Sequence, residues 1–81
     1  MPKISAIDSY VTGQVKKRRE ELKLSQEDLS FRLNKSEGYI SQFESHKRGK
    51  AFSVRMINEL ARALECSPKY FMPDHWFEEQ A

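Results

Sequence analysis

Apolar residues recur at helical spacing along almost the whole chain, and no alternating β-branched run is long enough to make a strand. Ile4, Ile7, Val11, Val15 and Leu22 fall near one face of a helix, which predicts a first helix from about Ala6 to Lys23. Gly13 weakens it. Ser25 is placed to cap a second helix over Gln26–Leu33, with Glu27 and Asp28 at its positive end and Leu29 and Leu33 inward. Asn34 tolerates positive φ and reads as its stop. Ser36 then caps a third helix, Glu37–Ser45, with Ile40 and Phe43 inward. A basic loop, His46–Phe52, leads to a fourth helix over about Ser53–Leu64, with Val54, Ile57, Leu60, Ala61 and Leu64 inward. Ser67-Pro68 opens a fifth helix of about one turn, Pro68–Met72, and Pro73 ends it. The pattern is all-α: five helices with short connections.

Length narrows the reading. At 81 residues the chain is one small domain. Such a core leaves no room for a large cofactor pocket and its walls. Hydrophobic residues make up 38% and charged residues 32%, too apolar for simple disorder and too polar for a membrane protein. No apolar run is long enough to span a bilayer, and residues 1–10 lack the apolar stretch of a signal peptide. One cysteine, Cys66, excludes an intramolecular disulfide and fits a reducing cytoplasm. His46 and His75 have no partners at ligand spacing, so there is no zinc pattern, and no nucleophile stands beside a base. The expectation is a protein that is not an enzyme and needs no cofactor or metal.

The net charge of +2 says little until it is divided. Residues 14–72 carry 13 Lys or Arg against 8 Asp or Glu, whereas residues 73–81 carry 3 acids and no base. A basic body therefore bears an acidic tail, a mild pointer to a polyanion.

The chemistry-bearing stretch is Gln26–Glu44, QEDLSFRLNKSEGYISQFE. Two short helices joined by a tight turn, their crossing set by Leu29, Leu33, Ile40 and Phe43, have the spacing of a helix-turn-helix, whose second helix enters a DNA major groove. With the preceding VKKRREELKLS and the later ELARALECSPKYF, the chain resembles the Cro/repressor-type, lambda-repressor-like (XRE) helix-turn-helix family. The resemblance covers about Val15–Phe71. It implies a compact five-helix DNA-binding domain over residues 14–72, an N-terminal extension at 1–13 that continues into the first helix, and an acidic, aromatic tail at 73–81.

The resemblance also implies roles. Ser36, Glu37, Gly38, Tyr39 and Gln42 match the face that meets base edges. Gln42 suits a bidentate bond to adenine, and Glu37 suits cytosine N4 or an ion pair with Lys35 or Arg32. Gln26, Lys35, Lys47, Arg48 and Lys50 match phosphate contacts. Arg19 and Glu44 match an ion pair linking the first helix to the end of the third, which leaves Lys16, Lys17 and Arg18 as a solvated fringe. Glu65 stands where many relatives carry Gly or Asn, and a left-handed Glu is costly, so a different local turn is expected there.

In the tail, Tyr70, Trp76 and Phe77 either fold back on the domain or make a dimer contact. One small module supplies one recognition helix, and a two-fold pair reads two half-sites about 34 Å apart. The function implied is a cytoplasmic, sequence-specific transcriptional repressor, a homodimer on double-stranded DNA with no membrane partner. The alternative is an antitoxin that binds a toxin and represses its own operon.

Overall fold

The computed structural model of the chain describes residues 4–45 and 49–79. The described residues form four α-helices, α1 (Ala6–Glu21), α2 (Gln26–Arg32), α3 (Tyr39–Glu44) and α4 (Val54–Ala63), and then a 3-10 turn, Pro68–Phe71. The expected fifth helix is thus only a single 3-10 turn. Ser67 caps it, and Met72 is already extended before Pro73, which leaves room only for tight i→i+3 bonds.

Serine hydroxyls start the segments. Ser5, Ser25, Ser53 and Ser67 each accept a bond from a backbone amide of the turn that follows. At α2 the cap is reciprocal: the Asp28 carboxylate accepts from the Ser25 amide while the Ser25 hydroxyl accepts from the Asp28 amide, both at 2.9 Å. Helix ends share one device. Lys23, Asn34 and Glu65 adopt φ of 59°, 58° and 56°. After each, the next amide bonds back to the helix: Leu24 to the Arg19 carbonyl, Lys35 to Ser30 and Cys66 to Ala61. Asn34 stops α2 as expected. Glu65 takes the left-handed conformation directly, so the different local turn expected there is corrected.

The third helix is shorter than its pattern suggests. It begins at Tyr39, and Ser36, Glu37 and Gly38 belong to the connection before it. Ser36 contributes its carbonyl to the Tyr39 amide, and the expected Ser36 side-chain cap is absent. The capping oxygen comes from α2 instead. The fully buried Ser30 hydroxyl accepts from the Ile40 amide at 3.1 Å and donates to the Gln26 carbonyl at 2.9 Å.

Val11, Val15, Leu29, Ile40, Phe43, Ile57, Leu60, Ala61, Leu64 and Phe71 form one buried cluster. Phe52, read as loop, joins it, stacked on Phe43 with ring centroids 4.3 Å apart. Val54 was expected inward but is 82% exposed. As the first residue of α4, its side chain tilts past the helix start into solvent. Among the described residues no helix is long and apolar enough to cross a membrane.

Candidate nucleic-acid interface

The fold holds α2 and α3 together from inside and leaves their outer faces open. Ile40 and Phe43 plant α3 in the core. Beneath its end, the Arg19 guanidinium grips the Glu44 carboxylate through two bonds of 2.9 Å, and a third guanidinium nitrogen donates to the Leu24 carbonyl at 2.7 Å. Both side chains are buried, at 8% and 3% exposure. Their bonding raises the Arg19 pKa further above its ordinary value, so the guanidinium stays charged. Gln26 completes the cluster, its amide donating to the same carboxylate at 3.0 Å. Helices α1, α2 and α3 thus meet at one carboxylate.

Around this anchor stand the residues read from the sequence. Ser36, Glu37 and Gly38 are exposed in the turn leading into α3. Tyr39 and Gln42, one helical turn apart, are half-buried on the same side. The Tyr39 ring packs edge-on against Phe43, centroids 5.3 Å apart, and this burial pushes its hydroxyl pKa up. Lys35 lies over the Tyr39 ring at 5.5 Å. Lys50 lies over Phe43 at 5.8 Å. Both lysines are exposed and flank α3. Lys47 and Arg48 lie outside the described residues. Among the described residues Glu37 forms no ion pair, because Arg32 reaches across to Glu65 at 3.7 Å and to the Ala63 carbonyl at 2.9 Å.

Arg18 corrects the reading of the basic run. It is half-buried rather than solvated, and its guanidinium donates to the carbonyls of Leu64 (3.0 Å) and Glu65 (3.1 Å). Together with Arg32 it covers the carbonyl end of α4, where positive charge is favoured. Arg18 and Ser30 are the two residues whose parts in holding the motif were missed. A serine inside an apolar stripe was the available signal for Ser30.

The tail turns back on the domain. Tyr70 donates its hydroxyl to Glu21 at 2.7 Å under the Arg18 guanidinium. Phe77 meets Tyr10 edge-on at 5.4 Å. The Glu79 carboxylate accepts from the Ala6 and Ile7 amides at 2.7 and 3.0 Å, closing the start of α1. Trp76 stays 80% exposed.

A helix-turn-helix family model matches residues 15–71, which contain α2, α3 and the cluster of Arg19, Gln26 and Glu44. The chain belongs to that helix-turn-helix family. The match makes it a DNA-binding transcription regulator of the Cro/repressor type. Among solved structures, the restriction-modification controller protein C.Esp1396I is similar at 29% identity and TM-score 0.71, over 82% of each chain. The P22 c2 repressor, solved with a synthetic operator, is similar at 29% identity and TM-score 0.60, over 76% of this chain and 91% of that one. FeII HppE shares the fold at 19% identity and TM-score 0.72, over 84% of this chain. The chain spans 35% of the length of HppE, and that likeness speaks for the fold alone. No curated protein sequence matches the chain.

Proposed function

We propose that the protein is a sequence-specific repressor that binds double-stranded DNA as a homodimer, with α3 in the major groove. One observation carries the reading: Arg19, Gln26 and Glu44 lock the motif from within while Tyr39 and Gln42 remain on one accessible side of α3. In this reading Gln42 reads a base and Tyr39 packs beside it. Ser36, Glu37 and the backbone at Gly38 approach the groove at the start of α3. Lys35, Lys50, Lys47 and Arg48 neutralise phosphates. Gln26 donates one amide hydrogen to Glu44 and has the other for a phosphate. No catalytic role, metal or cofactor belongs to this reading, and the cytoplasm is its setting. The likeness to an operator-bound repressor and to a controller protein supports it.

The test compares binding isotherms on a selected site and on scrambled duplex. Gln42→Ala is expected to cost about 1–3 kcal/mol on the selected site and little on scrambled DNA. Lys35→Ala is expected to weaken both and to reduce the salt slope by about one. Equal losses on both duplexes for Gln42→Ala contradict base reading. The exposed Trp76 also favours a second reading, an antitoxin whose tail binds a toxin. Co-purification of a small partner protein that requires Trp76 separates the two.

A further inference from the structure

Trp76 is the chain's single tryptophan, and the path of the tail turns it outward. Phe77 and Glu79, two residues apart, both face α1, one against Tyr10 and one on the Ala6 and Ile7 amides. Trp76 and Glu78, on either side of Phe77, are exposed. The tail therefore presents an indole with carboxylates near it on both sides, Asp74 and Glu78.

On the domain, a cleft of about 780 Å³ opens where the end of α2 and the following turn meet α4. Its apolar base includes Leu33, Met56 and Leu60, which are buried or half-buried. Its α4 side and the end of α2 carry three exposed cations, Arg32, Arg55 and Arg62, against one acid, Glu59, while Lys35 and Tyr39 line the side toward α3. Among the described residues neither Arg55 nor Arg62 is in an ion pair, and neither is Asp74 or Glu78. A tail-to-tail contact would set carboxylates against carboxylates. An acidic segment with a protruding aromatic side chain instead matches a basic cleft with an apolar base.

We propose that Trp76 of one copy seats in this cleft of a second copy, with Asp74 and Glu78 facing Arg55 and Arg62, and that the reciprocal seat closes a two-fold dimer. The proposal rests on the homodimer in the proposed function and names its surface. A two-fold pair makes the contact twice, so a short tail suffices.

The single tryptophan makes the seat directly visible. Intrinsic emission and sedimentation are followed together over a dilution series of the full chain. The expected result is emission moving to shorter wavelength as dimer forms, with one common midpoint. Trp76→Ala and Arg55→Glu, both at exposed positions, are each expected to weaken dimerisation at least tenfold while circular dichroism is unchanged. Adding Glu78→Lys to Arg55→Glu is expected to recover part of that loss. A dimer whose Trp76 emission does not depend on concentration overturns the seat and leaves the homodimer standing. A chain that stays monomeric at every concentration, and also on DNA, overturns both. Emission that shifts only when a co-purifying protein is added assigns the cleft or the tail to that protein and overturns the second-copy seat.

Discussion

Ser30 couples the two helices of the motif through one hydroxyl. It is fully buried, it donates within α2, and it accepts the Ile40 amide at the start of α3. Removing it leaves a buried amide without a partner, which costs about 1–3 kcal/mol. Ser30→Ala is therefore expected to lower stability in urea by that amount and to weaken DNA binding through a loosened α3. Unchanged stability would show that Ile40 finds another acceptor. The residues that were legible and those that were not divide on a physical line. The pairing of Arg19 with Glu44 was available through the resemblance to a family motif, and the fold forms it. Arg18 takes its partners from Leu64 and Glu65, far along the chain, and only the packed fold brings them together. Ser30 offered only the signal of a serine inside an apolar stripe, and its partner on α3 appears only in the packed fold.

The helices were legible at their centres and less so at their ends. Apolar spacing places α1, α2 and α4 to within a few residues, since the core selects one face. The start of α3 was not legible, because its cap comes from another helix and Gly38 extends the turn. Helix termini also hold a pH response. Backbone and hydroxyl bonds from Ser25 hold the Asp28 carboxyl below its ordinary pKa. The unfolded chain binds that proton more tightly, so the cap's contribution is complete above about pH 4 and is lost as pH falls through the lower folded value. The stability difference between the native chain and Asp28→Asn is expected to persist at neutral pH and to close in acid. A difference constant with pH would contradict the capping role. At the end of α4, Glu65 holds a left-handed φ of 56° that glycine adopts without strain. Glu65→Gly is expected to raise stability by roughly 1 kcal/mol. Its exposed pair with Arg32, at 3.7 Å, offsets little of this gain. A lower melting temperature would show that the pair outweighs the strain.

At the scale of the molecule, the charge division and the fold describe one arrangement. Helix α3 and its flanking lysines lie in the basic body. The acidic tail crosses to the start of α1, where the Glu79 carboxylate meets two open amides. The sequence left the tail open between folding back and reaching a partner. Both answers were chemically available because alternate tail residues face opposite ways: Phe77 and Glu79 turn to α1, and Trp76 turns to solvent. The fold itself was legible because so small a core admits few ways to bury these apolar stripes together. The central claim is that two copies of this domain present two copies of α3 to DNA and read its sequence. Repeated selection of bound duplexes from a random pool tests it most directly. The expected result is enrichment of one site with inverted half-sites about 10–10.5 base pairs apart, centre to centre. A pool whose bound fraction stays as random as its input would contradict sequence reading by this protein.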